Sequence, residues 1–357
     1  MGEFCYEKIE LIMADLEFTR GRIRGITTVI GDMELSIDQQ KDIYDLSDQD
    51  IKKFKRNLGL VSKHVVSNDT ICTSDLCVQS ANNLLKGLGV SADELDAVVF
   101  VTQTPDYLAP STAIHIAHRL GCPKETLAFD VSLGCSGFVY GLSIAFSYIE
   151  SGLDNVLLLC GDVASSFTST EDKSFSPLMG DAGSAILIDS SGTLETYFQL
   201  YSDGSGYKSL FIPGSGIRGG DENCGVMQMN GAEVFNFTIK EVPKMFDTMF
   251  DFSGIEKDDI DYYVLHQPNK YILKNIRKRI NVGLDKMPSE TQANYGNQNS
   301  ASITGTINAY LHKQLNGASE KKVLFSGFGI GLSWGICITD LDGVYVPEIN
   351  KYKGRDE

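Results

Sequence analysis

The sequence predicts an α/β protein made of two halves of similar topology, packed about a pseudo-twofold axis. Three observations carry that prediction. Gly89-Val90-Ser91-Ala92-Asp93-Glu94-Leu95-Asp96-Ala97-Val98-Val99 returns 165 residues later as Gly254-Ile255-Glu256-Lys257-Asp258-Asp259-Ile260-Asp261-Tyr262-Tyr263-Val264. The same offset relates Gly152 to Gly317, each closing a helical stretch, and an apolar run follows each glycine. At 357 residues and 42% apolar content, the chain is long enough to bury a large core.

Each repeated segment is a short acidic turn that leads into a buried strand. Leu127 to Val131 is the next strand, and it runs into the corner Gly134-Cys135-Ser136-Gly137. Phe138, Leu142, Ala145, Phe146 and Ile149 then recur at helical spacing. Asn155 to Leu159 follows as a central strand. In the second half, Val264-Leu265 ends a strand at His266, and Pro268 suits the first turn of the helix after it. Tyr295-Gly296-Asn297-Gln298-Asn299-Ser300-Ala301-Ser302 is a second-half counterpart of the Cys135 corner and enters a helix from Ile303 to Leu315. Lys321 to Phe325 is the strand matching Asn155 to Leu159. Ser326 to Gly335 is a glycine-dense strand-turn-strand. The division falls at residues 1–190 and 191–357, and the halves are expected to meet at the turns that follow these strands, where α/β proteins place their sites.

The corners carry the chemistry. A thiol at a helix N-terminus faces free N–H groups and the positive end of the macrodipole, which favour the nucleophilic thiolate. The plain alternative for Cys135 is a small buried apolar side chain. His266, alone, reads equally as a surface or capping residue, and Asn297 as a turn former or helix cap. Their matched positions in the two halves point all three into one cleft. The glycines from Gly327 to Gly335 let backbone N–H groups approach a ligand, although alone the segment reads as a hairpin.

Composition narrows the partners. A net charge of −16 argues against nucleic acid. No apolar run reaches membrane-spanning length. The eight cysteines have no paired spacing, and Met1 to Tyr6 lacks a charged-then-apolar leader, so a cytoplasmic protein with reduced thiols is expected. His115 and His118 lie on one helix face without a third ligand, so no metal site is expected. Cys5, Cys72, Cys77, Cys122, Cys160, Cys224 and Cys337 read as packing residues, and Asp181 as a structural one.

A Cys corner, a His corner and an Asn corner in this order, closed by Gly327-Phe328-Gly329-Ile330-Gly331, resemble the thiolase superfamily, and within it the β-ketoacyl-acyl carrier protein synthase III group. Thr104-Pro105-Asp106, Pro110-Ser111-Thr112, Met179-Gly180-Asp181-Ala182-Gly183, Asn230-Gly231 with Glu233-Val234-Phe235, and His266-Gln267-Pro268-Asn269 belong to the same resemblance, which extends from about Ile26 onward. It implies a thiolase-like fold of five αβαβα layers, each half with a mixed five-stranded sheet. It implies a catalytic triad of Cys135, His266 and Asn297, and an oxyanion hole from the backbone N–H groups of Cys135 and Ile330. An acyl group passes to Cys135. Decarboxylative Claisen condensation with a malonyl thioester on acyl carrier protein then gives a 3-oxoacyl product. No cofactor is implied, and a homodimer is.

The resemblance also places Ala109, Met229, Gly231 and Phe235 at the acyl pocket. Family members that use short primers often carry a bulky Phe at the position of Ala109, closing the tunnel across the dimer interface, so Ala109 implies room for a longer or branched chain. Lys53 and Asn57 replace the Trp and Arg usual in the coenzyme A site, which leans toward a carrier-linked donor. Lys278 and Arg279 match positions that receive the acidic carrier, and Arg277 joins them in the same basic cluster as a docking residue, although a solvated helix face explains the same charges. A type III polyketide synthase-like enzyme, a dedicated-pathway acyltransferase and a non-catalytic partner subunit are the remaining alternatives on this fold.

Overall fold

The computed structural model describes residues 14–218 and 225–354, so Cys5 and Cys224 lie outside the described residues. The strands of the two large sheets are β1 (Ala14–Phe18), β2 (Arg22–Ile30), β3 (Ala97–Val101), β4 (Leu127–Val131), β5 (Asn155–Asp162), β6 (Ala182–Asp189), β7 (Thr196–Ser202), β8 (Tyr262–Leu265), β9 (Lys321–Gly329), β10 (Ser333–Leu341) and β11 (Asn350–Lys351). The helices that position the site are α1 (Thr73–Leu88), α2 (Thr112–Leu120), α3 (Gly137–Glu150), α4 (Gly231–Lys240), α5 (Val242–Ser253), α6 (Lys270–Ile280) and α7, a helix over 302–315 with a π turn at Ile307–Leu311.

One sheet has the order β11-β2-β6-β5-β3-β4 and the other β1-β7-β10-β9-β8. In the first, β3 runs parallel to β5, while β5 and β6, and β6 and β2, are antiparallel. In the second, β8 runs parallel to β9, while β9 and β10, and β10 and β7, are antiparallel. The same four-strand pattern therefore occurs twice, with the repeated sequence supplying β3 and β8. Gly89 and Gly254 recur because each ends a helix in the left-handed conformation, at φ 67° and 66°.

Two strands cross the sequence division. β1 pairs with β7 in the sheet of the second half, and β11 pairs with β2 in the sheet of the first, giving that sheet six strands rather than five.

Alternation along β3 explains the layering. Ala97, Val99 and Val101 face a core shared with Phe138, Leu142 and Phe146 of α3 and Ile303, Ile307 and Leu311 of α7. Val98 and Phe100 face the other way, against Leu84 of α1 and Ile116 of α2. On the far sheet, Val323 and Phe325 join the inner core, while Leu324 packs outward with Met245 of α5 and Leu273 of α6. Helices α3 and α7 thus form the central layer. Phe138 meets Phe325 edge-on at 5.2 Å, tying α3 to the second sheet. Gly141 lets α3 settle on the first sheet, because a Cβ there would lie 2.6 Å from Val101 and 2.7 Å from Leu158.

Candidate active site

Cys135 lies in the turn between β4 and α3, where it is almost fully buried. His266 follows the last residue of β8. Asn269 begins the next helix by accepting from the Ile272 N–H at 3.0 Å, so Pro268 precedes the cap instead of opening the helix. Asn297 bridges to Met179, and its Oδ1 accepts from the Asn299 N–H at 3.1 Å. Cys135, His266 and Asn297 line one cavity of about 470 Å³. Its remaining wall is mainly apolar, with Leu58, Phe175, Leu178, Met179, Leu210, Met227, Phe328 and Ile330 among the lining residues.

The thiol departs from the expectation of a ready thiolate. Burial pushes it up to about 12, helped by the charge of nearby Asp162, and backbone N–H groups of Ile330 and Cys135 oppose the shift. The helix N-terminus is outweighed because this sulfur is buried and, among the described residues, no cation acts on it to offset the cost. Those two N–H groups are the pair named from the sequence as an oxyanion hole. His266 is pushed down to about 3, first by burial, against a backbone hydrogen bond with Asn299. Its imidazole is therefore neutral at physiological pH. Nδ1 lies 2.6 Å from the Ser302 hydroxyl, and Phe328 meets the ring edge-on.

Met229, Gly231 and Phe235 line the cavity. Ala109 does not: it is exposed on the loop before α2, beside Tyr107 and Leu108. Lys278 and Arg279 are exposed near the end of α6, whereas Arg277 donates to the Val282 carbonyl at 3.2 Å. A groove beside the cavity, sharing Leu58 and Tyr271 with it, is lined by Lys53, Arg56, Lys270 and Lys274. Cys77, Cys160 and Cys337 are core residues, and among the described residues no three His, Cys, Asp or Glu side chains cluster as metal ligands. Asp181 accepts from the N–H groups of Val66 and Ser165 and from the Ser165 hydroxyl, joining three segments beneath the site.

Two site residues escaped the sequence reading. Asn299, two residues beyond Asn297, accepts from Cys135 Sγ through Oδ1 at 3.1 Å, and Gln103 Oε1 accepts from Asn299 Nδ2 at 3.0 Å. The available signal was positional: Gln103 lies just beyond the C-terminal end of a parallel strand and Asn299 in the Gly296 corner.

Asp162 supports both. Fully buried, it accepts from the Gln103 N–H, the Ser300 N–H and the Ser300 hydroxyl. Burial outweighs these bonds and raises it to about 6. Because this value lies above the unfolded carboxylate's, protonation favours the fold. The contribution is complete below about pH 4 and is lost as pH rises through 6. Relative to Asp162→Asn, the protein should therefore lose about 2 kcal/mol of stability between pH 4 and pH 7. Urea unfolding of both proteins at the two pH values measures this; a difference that does not change with pH would place the proton elsewhere.

Residues 129–204 match the family described as 3-oxoacyl-[acyl-carrier-protein (ACP)] synthase III, and residues 250–341 match its C-terminal region. A β-ketoacyl-[acyl-carrier-protein] synthase III of Streptococcus sanguinis is 32% identical over 318 residues, covering 86% of this chain and 95% of its own. The chain belongs to the 3-oxoacyl-ACP synthase III family. Solved synthases agree in shape. The 3-oxoacyl-(acyl-carrier protein) synthase of Burkholderia xenovorans superposes with a TM-score of 0.90 at 29% identity, over 95% of this chain and 99% of its own. The synthase III of Pseudomonas aeruginosa superposes at 0.80 with 28% identity, over 92% and 99%. The fold is thiolase-like, and the protein is a condensing acyltransferase of the synthase III type. No helix among the described residues is long and apolar enough to cross a membrane.

Proposed function

We propose that Cys135, His266 and Asn297 carry the condensation in two half-reactions, with acyl and malonyl thioesters as substrates. Cys135 Sγ attacks an acyl thioester, whose carbonyl oxygen takes up charge against the Cys135 and Ile330 N–H groups. A malonyl thioester on acyl carrier protein then binds, its carbonyl held by neutral His266 Nε2 and the Asn297 carboxamide. These donors stabilise the enolate left by departing carbon dioxide, and its carbon attacks the acyl-Cys to give a 3-oxoacyl carrier. Both steps run on thiol, imidazole and amide groups alone, so the chemistry calls for no metal or redox cofactor. The observation that carries the reading is one apolar cavity lined by all three side chains and by Ile330.

The halves 1–190 and 191–357 divide the labour, the first bringing the nucleophile and the second the enolate donors. Met229, Gly231 and Phe235 contact the thioester within the cavity, and Ala109 reaches the partner's acyl pocket in a homodimer. The dimer reading is supported by β4, which ends its sheet as an edge strand with Leu127 half exposed, and by the 89% exposure of Leu108 nearby. The carrier docks along α6, where Lys270, Lys274 and Lys278 share a face with i,i+4 spacing, continued by Arg279 and, less directly, by Arg277. Lys53 and Arg56 extend the cationic collar toward the cavity mouth. Local attraction of this kind brings an acidic carrier to an acidic protein. A cytoplasmic site of action fits the free thiols of Cys77, Cys135, Cys160 and Cys337.

Intact mass measured after exposure to acyl-coenzyme A and acyl-carrier thioesters tests the reading and identifies the donor. One acyl adduct should form, and malonyl carrier protein should discharge it as a 3-oxoacyl product. Lys270→Glu/Lys274→Glu/Lys278→Glu should raise KM for carrier-linked substrate about tenfold and spare a small thioester. No adduct from any donor, in folded protein, would overturn the assignment.

A further inference from the structure

The cavity holds a second carboxamide whose contact with sulfur the two half-reactions leave unused. Asn299 sits at φ 47°, a left-handed conformation that Asn tolerates, and this aims its side chain at Cys135. The sulfur donates to Oδ1, while Nδ2 donates to Gln103 Oε1. Gly134 leaves the space for both, because a Cβ there would lie 2.3 Å from Gln103 Oε1 and 2.8 Å from Asn299 Oδ1. The Gln103 backbone is anchored to Asp162, so its carboxamide pivots on a fixed base.

Each carboxamide has a donor end and an acceptor end. If both turn over together, Gln103 Nε2 donates to Asn299 Oδ1, and Asn299 Nδ2 donates to the sulfur. The hydrogen-bond count is unchanged, but the group facing sulfur switches from acceptor to donor. We propose that Gln103 and Asn299 form a reversible carboxamide pair that holds the resting thiol through Oδ1 and the attacking thiolate through Nδ2. This assignment rests on Cys135 being the acylated nucleophile. In acyl transfer the Sγ–C bond forms and the donor's C–S bond breaks. The proton leaving Sγ finishes on the departing thiol, so the switch needs no further reactant. Among the described residues, Asp162 is the group whose charge acts on the sulfur, and it opposes the thiolate; neutral His266 lines the same cavity. The Ile330 and Cys135 N–H groups also bond the sulfur, but in the attack they take the acyl carbonyl oxygen, which leaves Nδ2 as the side-chain donor for the thiolate. Asn299 is thus a catalytic residue touching the reacting atom, and Gln103 positions it.

The test is the rate of Cys135 alkylation by iodoacetamide, followed by intact mass from pH 7 to 10, which requires no acyl donor. Failure here is therefore distinct from failure of the acylation assay. Asn299→Gly keeps the left-handed backbone and removes the donor, so alkylation should slow about tenfold at every pH. Gln103→Glu can only accept, which locks Nδ2 away from sulfur, and should slow alkylation equally. In the Asn299→Gly background the same Glu should add less than threefold. If it slows alkylation as much there, its charge acts directly and the pair is refuted. Unchanged rates in either single variant also refute it. Should Gln103→Glu fail to fold, Asn299→Asp provides the comparison: an acceptor fixed on sulfur must react more slowly than Asn299→Gly, and equal rates overturn the proposal.

Discussion

Replacing Cys135 with alanine should abolish the acyl adduct from every donor and lower condensation by roughly six powers of ten, as removal of an enzyme nucleophile does elsewhere. The same variant should still release carbon dioxide from malonyl carrier protein. This separation follows from the geometry: sulfur comes from the turn before α3, whereas His266 and Asn297 come from the second half. Ala removes the sulfur and its contact with Asn299 but leaves the Ser302 bond to His266 and the Asn297 bond to the Asn299 N–H in place. The donors that stabilise an enolate therefore remain aligned. His266→Ala should show the reverse, with acylation retained and decarboxylation reduced by about two to three powers of ten. Adduct mass and released carbon dioxide, measured on both variants, check the separation. Loss of both activities in Cys135→Ala would mean that the enolate donors depend on the sulfur for their placement.

The two corners that bring Cys135 and His266 to the cavity were legible because each is a local event, an apolar strand stopping at a polar turn before a helix. The repeat was legible for a similar reason. A helix end in the left-handed conformation favours glycine, so Gly89 and Gly254 mark equivalent turns. Burial was not legible: the helix N-terminus at Cys135 is visible in sequence, but the enclosing walls from residues 297–299 and 328–330 are assembled only by folding. That is why a ready thiolate was expected and a neutral thiol found. Asn299 and Gln103 were hidden for the same reason. Their contact spans 196 residues, and nothing local distinguishes Asn299 from Asn297. The exchange of β1 and β11 between sheets likewise depends on pairings across about 180 and 320 residues, beyond the reach of periodicity.

Gly329→Ala should reduce acylation of Cys135 by about a hundredfold while leaving the protein folded. Gly329 ends β9 opposite the nucleophile, and a Cβ placed there would lie 2.7 Å from Cys135 Cβ and 2.8 Å from Sγ. Real Cβ contacts do not approach so closely, so one partner must retreat by about 1 Å. The strand cannot give easily, since Gly329 is paired in register with Ser333 and the neighbouring Gly327 already lies against the Cys135 carbonyl and the Ser136 backbone. The sulfur gives instead, and it moves away from both the Ile330 N–H and Asn299. A displacement of that size misaligns the attacking atom with the oxyanion donors at once, and 1 Å of misplacement costs on the order of a hundredfold. Substrate affinity should change little, because the rest of the cavity wall is untouched. Gly204→Ala, where a Cβ meets nothing within 4 Å, serves as the control and should acylate at the parent rate. Rapid-quench acylation followed by intact mass, with thermal unfolding of both variants, measures the effect. A normal acylation rate in folded Gly329→Ala would show that the reactive sulfur does not occupy the position packed against β9.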